Sequence, residues 1–238
     1  MAVLFISDLH LESARADGVE HFVDFVGREG PAADRLYILG DLFEAWIGDD
    51  DPDPGLRPVH AALRRLTRSG TPCHFMHGNR DFLIGERFAA ETGCRLLGDY
   101  ETIEVHGTTI LLTHGDLLCT DDKRYMTLRG TVRDPAWQAE FLAKPLAERR
   151  TIADDLRQLS RTEIAAKPED IMDVNQSSVE ETMRRFGVSV LLHGHTHRPA
   201  VHEFEIDGSR AVRIVLGAWH DSASIVRWDE RGFELVEV

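Results

Sequence analysis

Val3-Leu4-Phe5-Ile6-Ser7-Asp8-Leu9-His10 carries the reading that decides the fold. Its apolar run has the pattern of a parallel strand buried on both faces, and it breaks directly into an acid and an imidazole two residues apart. The same event recurs down the chain. After a helical stretch around Gly18 to Arg28, Arg35-Leu36-Tyr37-Ile38-Leu39 stops at Gly40-Asp41, and Cys73-His74-Phe75-Met76 stops at Gly78-Asn79. Ile110-Leu111-Leu112-Thr113 then ends at His114-Gly115-Asp116, and Ser189-Val190-Leu191-Leu192 ends at His193-Gly194-His195. Open α/β sheets build their sites at the carboxyl ends of strands, so five polar strand tips predict one site assembled from all of them. From His202 onward the pattern alternates around an Asp207-Gly208 turn. It predicts antiparallel hairpin strands at Phe204-Glu205-Ile206, Val212 to Leu216, Ser224 to Trp228 and Phe233 to Val236.

One interval breaks the rhythm. Successive tips follow at roughly the length of a βαβ unit, about 30 to 40 residues, but the gap between Asp116 and Ser189 is about twice that. An insertion, bounded approximately by residues 122 and 168, accounts for it, within a single domain covering 1–238. From Lys123 to Lys167 the pattern is helical: Trp137 and Phe141 lie one turn apart, and Ile152, Leu156 and Leu159 share a face. That window holds ten Lys/Arg against six Asp/Glu, while the whole chain of 238 residues carries a formal charge of −14. A surface so acidic repels polyanions, which argues against nucleic acid as a partner and requires local cations wherever phosphate is handled. Cys73, Cys94 and Cys119 sit at no metal-site spacing and suit a reducing compartment. Met1 to Ile6 lacks the basic flank of a signal peptide, and no apolar run approaches the roughly 20 residues that cross a bilayer, so the expected place is the cytoplasm.

Asp8 and His10 are weak evidence as a pair and strong evidence in company. Asp41 follows Gly40, with Glu44 beyond it; Asn79 follows Gly78; His114, His195 and His197 flank Gly115 and Gly194. Mixed carboxylate, amide and imidazole donors without cysteine suit Mn, Fe or Zn, and a carboxylate can bridge two ions. Glycine beside these residues lets the backbone turn sharply at the tip. This donor set is what a two-metal phosphoesterase needs. Glu44 and Asp81 read as supporting or solvated groups, Asp116 as a group that orients His114 or binds nothing, His77, His106, His193 and His202 as structural, and His21 and His60 as surface residues.

In these five blocks the chain resembles the calcineurin-like metallophosphoesterases. The resemblance implies an α/β fold, a sandwich of two mixed β-sheets flanked by helices, here with a helical cap insertion. It assigns Asp8, His10, Asp41 and His197 to one metal, and Asn79, His114, His195 and the bridging Asp41 to the other. A metal-free scaffold of the same fold is the alternative from a different class. Many family members carry a general-acid histidine after the site asparagine, where this chain has Arg80. A guanidinium keeps its proton near neutral pH and can only clamp phosphate, which points to a leaving group needing no protonation and hence to a pyrophosphate bond.

Ser7 to Leu11, Gly40 to Gly48, His77 to Leu83, Ile171 to Asn175, His193 to Pro199 and Leu216 to His220 are similar to the bacterial UDP-2,3-diacylglucosamine hydrolases nearly end to end. That resemblance implies two Mn2+ ions per chain and hydrolysis of UDP-2,3-diacylglucosamine to UMP and 2,3-diacylglucosamine 1-phosphate (lipid X). It places the reaction in lipid A biosynthesis, on a peripheral protein at the cytoplasmic face of the inner membrane. It also implies that Asn79, Arg80, Asp122, Ser160, Lys167 and His195 contact the substrate, although Ile164 stands where an asparagine is expected. Another nucleotide-sugar or nucleotide-lipid pyrophosphatase of the same fold is the nearest alternative activity.

Overall fold

The structure is a computed structural model that describes residues 1–166, 173–220 and 223–237, without the side chains of 159–166. Each apolar run becomes a strand because its alternate residues have an apolar layer to enter on either side. In chain order the first half comprises β1 (Ala2–Ile6), α1 (Ala16–Glu29), β2 (Ala33–Ile38), α2 (Arg57–Arg68), β3 (Cys73–Phe75), α3 (Glu86–Thr92), β4 (Arg95–Leu96), β5 (Tyr100–Val105) and β6 (Thr108–Thr113). Three helices follow in the inserted stretch, α4 (Lys123–Val132), α5 (Pro135–Leu142) and α6 (Leu146–Ala166), and then α7 (Gln176–Phe186). The chain closes with β7 (Val190–His193), β8 (Ala200–Ile206), β9 (Ser209–Val215), β10 (Ser224–Asp229) and β11 (Gly232–Glu237).

These strands form two mixed sheets, one of six strands in the order β11-β10-β1-β2-β3-β4 and one of five in the order β5-β6-β7-β9-β8. β1 to β4 run parallel, as do β6, β7 and β9, so the tips of β1, β2, β3, β6 and β7 are the ends where the polar residues stand. The four C-terminal strands pair as two hairpins, one in each sheet, and the Asp207-Gly208 turn takes the left-handed conformation that a tight hairpin requires.

Alternation along β1 shows how the layers are specified. Val3 and Phe5 enter the core between the sheets with Tyr37, Leu112, Leu192 and Ile214; Leu4 and Ile6 enter the core under α1 and α2 with Phe22, Phe25, Val59 and Leu63. On the far face of the second sheet Leu111 and Leu191 pack on Val179 and Met183 of α7. The result is helix on sheet on sheet on helix. Because both sheets share the central core, a strand tip in one is held rigidly against a strand tip in the other.

Phe5 is fully buried in that central core and stacks on Tyr37 at a ring separation of 5.2 Å. Truncating it removes transfer free energy and leaves a cavity between two rigid sheets. Phe5→Ala should cost about 3–5 kcal/mol of unfolding free energy in urea titrations; a loss below about 1 kcal/mol would show that the sheets close over the gap.

Candidate active site

Five of the seven predicted metal-site residues hold left-handed backbone, with φ of 56° at Asp8, 50° at His10, 52° at Asp41, 68° at His195 and 56° at His197. Non-glycine residues adopt this region at a cost, and such strain concentrates where a functional geometry over-determines the chain. At Asp8 it is fixed by backbone bonds: Asp8 N–H donates to the Gly40 carbonyl at 3.1 Å, and Trp219 N–H donates to the Asp8 carbonyl at 3.1 Å. Gly78 and Gly194 allow the loops to close to this distance. A Cβ on Gly78 would stand 2.0 Å from Asp41 Oδ1, and one on Gly194 would stand 2.2 Å from Asp8 Oδ2.

All seven predicted residues converge. His10 Nε2 faces His197 Nε2 at 3.1 Å and Asp41 Oδ2 at 3.8 Å, and His197 Nε2 is 3.4 Å from Asp8 Oδ1. Asn79 Oδ1 lies 2.8 Å from His195 Nδ1 and 3.1 Å from His114 Nε2, and His114 Nε2 is 3.8 Å from Asp41 Oδ1. Donor atoms of Asp8, Asp41 and His114 all lie within 4.8 Å of one another, and so do those of Asp8, His10 and His197. Asp8 is common to both groups, and Asp41 turns Oδ2 toward His10 and Oδ1 toward His114.

The tautomers follow from what holds the rings. His114 Nδ1–H donates to the Leu39 carbonyl at 2.8 Å, and His10 Nδ1 contacts Glu44 Oε2 at 3.0 Å, so each ring turns Nε2 into the cluster. Those nitrogens then face other lone-pair atoms, an arrangement that needs positive charge between them. Asp8 Oδ1 is buried with no hydrogen-bond partner, the orphan a cation would satisfy. Burial lowers the affinity of His10 and His114 for a proton, but Glu44 at His10 and the carboxylates of Asp41 and Asp8 outweigh it and hold both imidazoles above their ordinary range. Burial raises the Asp8 carboxyl, and the adjacent imidazoles, His197 above all with His114 and His10, outweigh it and hold Asp8 well below the usual carboxylate range. His195, buried and beside His114, is pushed down to about 4. The donor set fits two divalent ions.

Supporting groups are arranged around this cluster. Asp81, fully buried, accepts from the N–H groups of Leu42 at 2.7 Å and Gly78 at 2.9 Å, tying the β2 tip to the β3 tip. Burial and the charge of Asp41 push Asp81 up to about 7. Asp116 differs from expectation. The Leu39 carbonyl orients His114, and Asp116 instead accepts from Tyr125 Oη at 2.6 Å and Arg129 Nε at 2.7 Å, fastening α4 to the β6 tip. His60 also departs from the surface reading, because it stacks on Trp46 at 5.8 Å and is half-buried.

The inserted helices lie over the cluster, and a cavity between them is lined by Trp46, Phe82, Leu83, Leu128, Val132, Trp137, Phe141 and Leu156, with Asn79, Arg80, Tyr125, Arg133 and Arg157 among its polar residues. Of the predicted substrate contacts, Asn79 and Arg80 meet there and His195 adjoins Tyr125 at 5.8 Å between ring centres. Asp122 caps α4, accepting from Tyr125 N–H at 3.1 Å, and is not among the residues that line the cavity. The Ser160 side chain and Lys167 lie outside the described residues. Sequence reasoning missed Tyr125, Arg129 and Arg133 as site residues. Their only signal was helical spacing along α4 and into the turn after it.

Comparison with known proteins agrees with this geometry. Residues 1–199 match the calcineurin-like phosphoesterase family, and the chain belongs to it. Within that class it is 49% identical over 237 residues to the UDP-2,3-diacylglucosamine hydrolase of Enterobacter sp. (strain 638), covering 100% of this chain and 99% of the relative. It is 50% identical over 236 residues to the enzyme of that name from Salmonella arizonae, covering 99% and 98%, and 48% identical over 242 residues to that of Stenotrophomonas maltophilia (strain R551-3), again covering 99% and 98%.

Gly78→Ala should force Asp41 aside and lower metal content and activity together, read by elemental analysis and phosphodiester turnover. Gly27→Ala is the control: its Cβ meets nothing within 4 Å, and loss of unfolded-chain freedom should stabilise the protein by roughly 0.4–1 kcal/mol. Normal metal content in Gly78→Ala would contradict the close-approach argument.

Proposed function

We propose that the chain hydrolyses the pyrophosphate bond of UDP-2,3-diacylglucosamine by attack of water on the uridine-side phosphorus, releasing UMP and lipid X in lipid A biosynthesis. The observation that carries this reading is the adjacency of two unlike environments: a buried Asp/His/Asn cluster and, opening from it past Asn79 and Arg80, an apolar cavity under the inserted helices. A diphosphate joined to two acyl chains needs both.

Asp8, His10, Asp41 and His197 would hold one Mn2+ ion, and Asp41, Asn79, His114 and His195 the other. Bound together, two such ions supply a water nucleophile at neutral pH and offset the diphosphate charge. The rest belongs to the chain. Asp41 sets the spacing of the two groups, and Glu44 and the Leu39 carbonyl hold the His10 and His114 rings in place. Arg80 clamps a phosphate oxygen without donating a proton, which suits departure of a sugar phosphate. The apolar walls at Phe82, Leu128, Val132 and Trp137 shield the acyl chains from water. Asp122, Ser160 and Lys167 complete the proposed substrate contacts, and the insertion, about 122–168, acts as a cap on a single domain.

No described helix is long and apolar enough to cross a membrane. Four large hydrophobic residues are exposed among the described residues, and two of them, Leu128 at 37% and Leu142 at 40%, are on the cap. They support peripheral docking at the cytoplasmic face of the inner membrane, where the substrate would be drawn from the lipid surface.

The test is release of UMP by the manganese-loaded protein from UDP-2,3-diacylglucosamine beside UDP-glucosamine without acyl chains. The acylated substrate should be preferred; equal turnover would favour a broader nucleotide-sugar pyrophosphatase. In oxygen-18 water the label should enter UMP, and label in lipid X would reverse the direction of attack. Asp41→Ala should lower turnover on the order of a thousandfold, the scale of preorganised charge stabilisation.

A further inference from the structure

A second cavity, of about 380 Å³, opens on the other flank of the cluster. His10 lines it together with Glu12, Arg15, Asp17, His21 and Trp219, and its volume lies within the range of small-molecule pockets, roughly 300–1,000 Å³. The cluster therefore has two mouths of different chemistry. One passes Asn79 and Arg80 into apolar walls; the other passes His10 into a mixture of carboxylates, a guanidinium, imidazoles and an indole. His220, also on the second wall, sets its ring 5.8 Å from that of His10 and 5.7 Å from that of His197, so cavity and cluster are continuous.

A diphosphate diester lying across Asp8 and Asp41 with its acyl chains under the cap directs its other end toward this second mouth. We infer that the cavity receives the nucleoside end of the substrate, an assignment that rests on the diphosphate reading above. The groups present match that ligand. Trp219 is held by Phe25 edge-on at 5.1 Å and by His21 at 5.1 Å, and its Nε1–H is buried with no hydrogen-bond partner among the described residues. A pyrimidine offers a flat face to such an indole. Glu12 and Asp17 are acceptors for ribose hydroxyls. Arg15, whose Nε donates to Glu12 at 2.7 Å and whose Nη2 lies 3.4 Å from the His10 carbonyl, brings positive charge to the boundary between cavity and cluster, where the nucleoside phosphate would lie.

Calorimetric titration of the manganese-loaded protein with UMP and, separately, with lipid X tests the assignment in wild type, Arg15→Ala and Trp219→Phe. UMP affinity should fall on the order of tenfold in each variant, the equivalent of about 1.4 kcal/mol, while lipid X affinity stays within about twofold. Arg15 is half-exposed, so its variant carries the test if Trp219→Phe fails to fold. Unchanged UMP affinity in Arg15→Ala, or equal losses of UMP and lipid X, would overturn the site. A wild type that hydrolyses the substrate while Arg15→Ala keeps its UMP affinity overturns this site alone; a wild type that releases no UMP overturns the hydrolase reading and this site together.

Discussion

Two carboxylates, Asp8 and Asp41, are buried to within 2% of complete exclusion from water, with donor atoms no more than 4.8 Å apart. Burying like charges this closely is unfavourable by several kcal/mol per ion unless cations answer them. That constraint organises the molecule. It explains why imidazoles from β1, β6 and β7 point inward, why the outer nitrogens of His10 and His114 are held by Glu44 and the Leu39 carbonyl, and why the backbone accepts left-handed φ at five of the seven residues. The two-sheet sandwich is the frame that makes such strain tolerable, because strand tips anchored in one central core cannot drift apart to relieve it.

The cap is attached by the same logic on a larger scale. Four of its arginines are directed at the acidic body. Arg149 donates to the Ile47 carbonyl at 2.7 Å and pairs with Asp50, Arg150 pairs with Asp51, and Arg129 bonds Asp116. Arg133 donates to the Gly78 carbonyl at 2.9 Å and lies over the Phe82 ring. The charge contrast between these helices and the body therefore holds them to it. Through Arg133 and Asp116 these helices touch the loops that carry Asn79 and His114, so their placement and the geometry of the cluster are mechanically joined.

Much of this was legible in the sequence, for a reason particular to parallel strands. An apolar run ending in Gly-Asp or His-Gly-His states both its burial and its direction, so the tips at Asp8, Asp41, Asn79, His114 and His195 could be assigned to one site without knowing the order of the strands. The Trp137–Phe141 pair, one turn apart, stacks at 5.1 Å as its spacing implied. Local pattern was silent elsewhere. β5 reads poorly because Glu101 and Glu104 interrupt it, and it forms by pairing with β6. Asp116 could not be assigned to α4 rather than His114, because the choice depends on where the cap lands. The left-handed backbone of His10 and His197 left no mark, since neither residue type demands it.

The central claim is that the buried charge cluster is a dinuclear metal centre bridged by Asp41. Anomalous diffraction at the manganese edge from crystals grown with manganese tests it most directly. The account predicts two peaks, one among Asp8, His10, Asp41 and His197 and one among Asp41, Asn79, His114 and His195. A single peak, or peaks that do not share Asp41, would contradict it.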